Sequence, residues 1–468
     1  MPETWANSGV DLHLDLTGSR VRAALEAALR EAIRTGRLGS GVGLPSSRVL
    51  AHDLGISRNT VAAAYGSLVA EGWLTARQGS GTQVAGRSVS VEASSARAAP
   101  DVDRIRYDLR AGSPDLAAFP RAGWLAAARR ALGAASAEAL GYGDPRGRAE
   151  LRRALADYLS RARGVYADPD RIVICSGFAQ GLGLLCQALR AGGATTVATE
   201  AYGHRSHRDA IAAGGLELTK VAVDADGAVV SQFGEADAAL LTPAHQFPLG
   251  HALVAERRTG AVEWAGRTGG LIVEDDYDGE FRYDRQPVGA MQALAPERIV
   301  YAGTASKSLA PGLRLGWLVL PERLLADTVA AKNLTGGPST VDQLTIAELI
   351  TSGAYDRHVR RARLVYRRRR DALVTALRHH VPEARITGIV AGLHVVVELP
   401  QGLEENDVIA RATRHGLALE GLDAYSATGQ ARSPALVVGY GTPPDHAFDS
   451  AIATLCAVLS SPGRPPRR

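Results

Sequence analysis

The sequence reads Gly303-Thr304-Ala305-Ser306-Lys307-Ser308-Leu309-Ala310-Pro311-Gly312-Leu313-Arg314 between two apolar segments, residues 298–302 and 315–320. Each flank has the length and β-branched content of a buried strand, so Lys307 is predicted on a tight loop between two core elements. Thr304 and Ser306 lie just before the lysine and Arg314 seven residues after it. Hydroxyls beside a guanidinium make a phosphate cradle. A partly desolvated amine next to such a cradle suits a Schiff base to a phosphorylated aldehyde, because burial favours the neutral, nucleophilic form. A lone loop lysine would read as surface; the pattern T-x-S-K…P-G-L-R argues against that.

A second segment points the same way. Gly270-Leu271-Ile272-Val273 reads as a strand running into Glu274-Asp275-Asp276-Tyr277-Asp278. Pyridoxal phosphate works as an electron sink only while its ring nitrogen is protonated, and a buried carboxylate opposite that nitrogen keeps the proton on. Asp275, at the strand end, is the candidate, with Tyr277 placed to hydrogen-bond the ring phenolate oxygen. Alone, the acidic cluster would read equally as a metal site or a solvated turn.

In chain order, Phe247-Pro248-Leu249-Gly250, Asp275-Asp276-Tyr277 and Ser306-Lys307 with Arg314 resemble the fold type I aminotransferases. Within that group, TPAHQFP (residues 242–248) and EDDYDGEFRY (residues 274–283) resemble the MocR type of GntR-like transcription regulators. The resemblance implies a winged helix joined to an aminotransferase-like domain, pyridoxal 5'-phosphate on Lys307, and a homodimer.

The N-terminal part supports this independently. Residues 19–35 place Val21, Ala24, Leu25, Ala28, Leu29, Ala32 and Ile33 at helical spacing behind a candidate cap, Ser19, with Gly36 as the stop. A serine-capped second helix starts around Ser46 and Ser47 and ends near Gly55. Ser57 opens a third, whose Val61, Ala64, Tyr65 and Leu68 face inward. Helix, short glycine turn and helix form a helix-turn-helix pattern. Residues 72–84 read as two strands around a glycine-rich wing tip. Arg58, Asn59 and Thr60 would enter the major groove, while Ser47, Arg48 and Ser57 would hold phosphates. Gly79 and Gly81 would let the wing approach the duplex. The wording LPSSR…LGISRNTV…EGWL…GSGT is similar to the GntR winged helix. The plain alternative is a small helical bundle without a nucleic-acid role.

Composition sets bounds. The chain has 468 residues, enough for two or three domains, with 46% hydrophobic and 22% charged residues. No stretch approaches the ~20 apolar residues that span a bilayer. The N-terminus has neither the basic start nor the apolar core of a signal peptide. The scattered Cys175, Cys186 and Cys456 fit a reducing cytoplasm and no disulfide framework. The net charge of +4 is compatible with nucleic acid without demanding it.

The expected organisation is a winged helix at 12–84, a flexible linker at 85–105 rich in Ala, Ser and Arg, and an aminotransferase-like α/β domain with a mainly parallel sheet at 106–462. A glycine turn before Phe178 and Ala179 would offer helix N-terminal amides to the cofactor phosphate. The resemblance implies an aromatic ring stacked on the cofactor in the segment Glu200-Ala201-Tyr202-Gly203-His204; His204 falls at that place, and Tyr202 is the alternative. It also implies that Tyr142 serves the other subunit's site. Phe247 replaces the aminotransferase asparagine, and valine stands where an arginine would clamp a substrate carboxylate, with Arg432 as a substitute. The arginine-rich run 356–370 suits either DNA tracking or a solvated helix face, and the apolar continuation at 371–374 favours the second. The expected function is transcription regulation, with an amine, an amino acid or pyridoxal phosphate itself as effector. The alternatives are an active aminotransferase with a non-essential winged helix, and a scaffold whose pocket is a relic.

Overall fold

The computed structural model describes residues 21–77, 81–86, 105–283, 288–429 and 433–460. Ser19, the wing residue Gly79, most of the expected linker and Arg432 lie outside the described residues. The chain divides into two compact units, Met1–Pro100 and Asp101–Arg468.

In the first unit the helix Val21–Arg34 buries Leu25, Leu29, Ala32 and Ile33. The side chain of Ser46 accepts from Val49 N at 3.3 Å and starts the helix Ser47–Asp53. Ser57 caps Arg58–Ala70 by accepting from Thr60 N at 3.1 Å. Val61, Ala64, Tyr65 and Leu68 turn inward as the spacing predicts. Strand Leu74–Arg77 pairs antiparallel with Gly81–Val84, which also pairs with Gly43–Leu44. Leu44, Leu74 and Val84 close the same core as the helices, which fixes the wing to the helical face.

The second unit holds, among its described residues, a seven-stranded sheet. Its spatial order is Ile172–Cys175, Gly316–Val319, Ile299–Thr304, Leu271–Asp275, Ala238–Leu241, Thr196–Glu200, Glu217–Val221. Gly316–Val319 runs antiparallel to both neighbours, and the other pairings are parallel. Successive side chains serve opposite faces. Ile172 and Ile174 join the cluster containing Leu151, Leu155 and Ile346, whereas Val173 and Cys175 join the one containing Leu182, Leu185 and Leu324. Helices therefore cover both faces, and the strands read as unbroken apolar runs. The parallel strands all end at one edge, which brings Glu200, Asp275 and Thr304 together, the usual place for a ligand in such a sheet.

A smaller antiparallel sheet, Arg385–Thr387, His394–Glu398 and Ala435–Gly439, packs with the helices Ala354–His380 and Asp445–Ser460. The arginine-rich run lies on the first of these helices. Arg357, Arg360, Arg361, Arg367 and Arg368 are exposed, as a solvated face requires. Arg369 has a different role. It is buried and donates to Asp115 Oδ2 at 2.8 Å and to the carbonyl of Pro443 at 2.8 Å. Breaking a buried pair leaves one charge uncompensated. Arg369→Met should therefore destabilise the protein by about 3–5 kcal/mol, read as a lowered denaturant midpoint; an unchanged midpoint would show the pair to be dispensable.

Candidate functional site

At the strand-end edge lies a cavity of about 240 Å³. Lys307, Asp275, Tyr277, Thr304, Ser306, Arg314, Phe178, Ala179 and His204 all line it. These residues come from four separate segments of sequence, and the fold brings every one of them to the same wall.

Lys307 follows the end of strand Ile299–Thr304, and its Nζ donates to the carbonyl of Gly112 at 2.5 Å. Burial lowers the amine's pKa from the ordinary lysine value, while Asp278 and Asp275 pull it back up. Asp275 ends strand Leu271–Asp275. Burial, reinforced by Asp276, raises its carboxyl well above the usual range, with Lys307 opposing. The neighbouring acids are engaged elsewhere. Glu274 accepts from the amides of Met291 and Gln292, each at 2.8 Å, and Asp276 pairs with Arg163 at 2.7 Å and with the Tyr301 hydroxyl at 2.8 Å. Asp278 lies 2.8 Å from His245 Nδ1. Asp275 accepts no side-chain hydrogen bond from the described residues, so its carboxyl is the acid of this cluster left facing the cavity.

The anion side is built from three directions. Thr304 and Ser306 hydroxyls stand 2.8 Å apart. The helix Phe178–Ala191 begins at the cavity, where its first amides and dipole favour negative charge. Its cap, Gly177, has φ 82°, and a Cβ there would sit 3.6 Å from the Arg314 guanidinium carbon. Arg314 is the one non-glycine residue with positive φ among the described residues, at 48°. That uncommon backbone folds its side chain back over the helix start. Hydroxyls, amides and a guanidinium thus converge on one spot.

Opposite them, the His204 ring lies parallel to Phe247, with centroids 4.2 Å apart and planes 15° apart. Tyr202 is buried in a cluster with Leu422 and Tyr425. His207, one helical turn beyond His204, also lines the cavity against Phe178. Burial lowers the imidazoles of His204 and His207 to about 4 and about 3, so both are neutral acceptors or donors at ordinary pH. Glu200 also faces the cavity, held by Thr242 Oγ1 at 2.6 Å and raised by burial to about 7. Sequence reasoning did not select His207 or Glu200. The three-residue spacing of the histidines was the available signal for the first. Tyr142 is fully exposed and does not line its own chain's cavity.

In the first unit Ser57, Arg58 and Asn59 are exposed at the start of the third helix, and Arg48 at the start of the second. Thr60 is half-buried, its hydroxyl 2.8 Å from that of Ser57. Ser47 is half-buried, and Gly81 is exposed at the wing with φ 85°.

Residues 22–84 match the gntR family of bacterial regulatory proteins, and residues 107–414 match aminotransferase class I and II. The chain is 33% identical to the probable rhizopine catabolism regulatory protein MocR of Rhizobium meliloti, over 82% of this chain and 83% of that one. The chain belongs to the MocR type of GntR regulators. It is also 31% identical to the HTH-type pyridoxine biosynthesis transcriptional regulator PdxR of Corynebacterium glutamicum, over 93% and 95% of the two chains. Among solved structures, the kynurenine aminotransferase of Pyrococcus horikoshii superposes with a TM-score of 0.68 at 26% identity, covering 76% of this chain and 92% of that one. This MocR-type chain is therefore a transcription regulator whose gntR domain indicates DNA binding and whose larger domain belongs to a pyridoxal-phosphate-dependent class. No helix among its described residues is long and apolar enough to cross a membrane.

The lowered pKa of Lys307 makes a larger share of it neutral at a given pH than of a solvated lysine. Reductive labelling by a small neutral aldehyde, followed by peptide mass spectrometry, should show Lys307 modified with a pH midpoint below that of a lysine in a short unstructured peptide. Coincident midpoints would contradict the desolvated environment.

Proposed function

We propose that this regulator carries pyridoxal 5'-phosphate on Lys307 and that an effector sensed in the same domain governs DNA binding by its winged helix. The observation that carries the reading is the pairing of a desolvated amine with a cavity-facing carboxyl that no described side chain satisfies. Such a carboxyl is costly in a buried site unless an opposite charge meets it, and a protonated pyridine nitrogen is such a charge. When bound, the cofactor supplies an aldehyde carbon for amines and an electron-withdrawing ring.

The remaining residues have distinct duties in this reading. Thr304, Ser306, Arg314 and the helix start at Phe178 and Ala179 hold the phosphate. His204 stacks on the ring face; Tyr202 lines the same cavity and is the alternative. Tyr277 serves the phenolate oxygen. The effector is a small amine, an amino acid or the cofactor itself, with Arg432 and the partner subunit's Tyr142 as its further contacts. This last role requires a homodimer, which would also present two winged helices to two half-sites. Arg58, Asn59 and Thr60 read the major groove, while Ser47, Arg48, Ser57, Gly79 and Gly81 lie along the backbone.

A working aminotransferase is the second reading, favoured by the convergence of amine, carboxyl and anion cradle in one cavity. Phe247 counts against efficient turnover, because a phenyl ring cannot donate a hydrogen bond. Turnover of amino donor and oxo-acid at ordinary enzyme rates, without duplex binding, would favour that reading.

Purified protein loaded with pyridoxal phosphate should be coloured, and Lys307→Ala should lose the visible band. Footprinting on the protein's own upstream region, with and without cofactor and amines, should reveal a protected site that responds to ligand. Arg58→Ala should weaken that binding by about 1–3 kcal/mol with the visible band unchanged. Colourless wild-type protein, or indifference to duplex at low salt, would overturn the proposal.

A further inference from the structure

The cavity wall at Tyr277 has a layer behind it that the proposed function does not use. Tyr277 is followed directly by Asp278, and both side chains converge on His245, thirty-odd residues earlier in the chain. His245 Nδ1 is 2.8 Å from Asp278 Oδ2 and 3.0 Å from the Tyr277 hydroxyl. Histidine and aspartate are almost fully buried, with side-chain exposures of 4% and 2%. Gly392, from the loop entering the C-terminal sheet, seals this group: a Cβ there would fall 2.3 Å from His245 Cε1 and 2.6 Å from Asp278 Oδ2. The loop is tied down in turn, since the hydroxyls of Tyr283 and Tyr440 both donate to the carbonyl of Gly392 at 2.6 Å.

One ring nitrogen thus faces two oxygens. A carboxylate only accepts, so the hydrogen belongs on Nδ1 and points at Asp278. Nδ1 then has no lone pair to offer Tyr277. The phenol oxygen can share the Nδ1 hydrogen as an acceptor, and its own hydrogen then has two places to go, the cavity that Tyr277 lines and the Asp278 carboxylate within its reach. The Nδ1–H that engages Asp278 weakens the carboxylate as an acceptor for the phenol and so favours the cavity; without the imidazole the carboxylate would take the hydroxyl hydrogen. Phe247, packed edge-on against Tyr277, donates nothing.

We propose that His245 is a positioning residue: its Nδ1–H, held by Asp278, keeps the Tyr277 hydroxyl hydrogen directed at the phenolate oxygen of the cofactor. This rests on the reading that pyridoxal phosphate occupies the cavity. The groups facing the relay are Asp275 and Glu200 from the strand ends, Lys307 from its loop, His204 from the ring-stacking side, His394 from the C-terminal sheet, and His251 from the same loop as His245. All of them stay in place in the variants below.

The test is a pH titration of the visible band in full-length protein loaded with pyridoxal phosphate. A hydrogen bond donated to the phenolate oxygen draws electron density from the chromophore and favours its deprotonated form, so loss of that bond raises the midpoint. His245→Phe should raise it by about one pH unit, the scale set by one hydrogen bond to a charged oxygen. His245→Asn, whose amide can still donate to Asp278, should bring the midpoint most of the way back to the wild-type value. In a Tyr277→Phe background His245→Phe should add nothing. Asp278→Asn, which can donate to the ring and so push its hydrogen to Nε2, serves if His245→Phe does not fold; because it also removes a charge that raises the Lys307 amine, it is read as the difference between the wild-type and Tyr277→Phe backgrounds, where the Tyr277-dependent part should be upward. An unmoved midpoint in His245→Phe, or shifts from His245→Phe or Asp278→Asn that are the same with and without the Tyr277 hydroxyl, would overturn the positioning role while leaving cofactor binding intact. Colourless wild-type protein would instead sink the reading beneath it.

Discussion

The desolvation of one amine beside buried carboxyls is the constraint around which the larger unit is arranged. Lys307 loses water on entering the cavity wall, which disfavours its charge, and Asp275 and Asp278 only partly compensate. Asp275 is in the mirror situation, its charge disfavoured by burial and by Asp276. Burial disfavours the charged form of each group, one at a strand end and the other on the loop just after a strand. A site built this way stores unsatisfied electrostatics that a dipolar ligand can relieve, which is why perturbed groups cluster at functional positions.

The sheet makes that arrangement affordable. The parallel strands Thr196–Glu200, Ala238–Leu241, Leu271–Asp275 and Ile299–Thr304 deliver their last residues to one edge, and apolar clusters on both faces keep the strands rigid. The acids at the end of strand Leu271–Asp275 and just beyond it separate by the alternation of the chain: Glu274 and Asp276 turn to structural partners, and Asp275 turns to the cavity. Gly392 and His394 then press the C-terminal sheet against the wall that carries His245 and Phe247. Within this unit, the cavity-lining Phe247 thus packs directly on the C-terminal sheet.

Much of this was legible in the sequence. The capping serines Ser46 and Ser57 and the spacing of Val61, Ala64, Tyr65 and Leu68 were enough for the helices of the first unit, because caps and amphipathic periods are local signals. The apolar runs around Lys307 and before Asp275 were enough for its central strands. What could not be read was anything that depends on distant segments meeting. Arg369 sat unremarked inside an arginine run, since its partner Asp115 is more than two hundred residues away. Glu200 and His207 stood beside residues already singled out, yet only the folded cavity reveals that they face it.

The sequence by itself determined the two-part architecture, the strand-to-loop setting of Lys307 and the membership of Asp275, Thr304, Ser306 and Arg314 in one site, because each follows from spacing along the chain and a recognisable wording. Only the tertiary structure decided that Tyr277 and Asp278 converge on His245 and which of four neighbouring acids faces the cavity. Those outcomes turn on distances of about a hydrogen bond between segments thirty to two hundred residues apart, and such distances are set by packing.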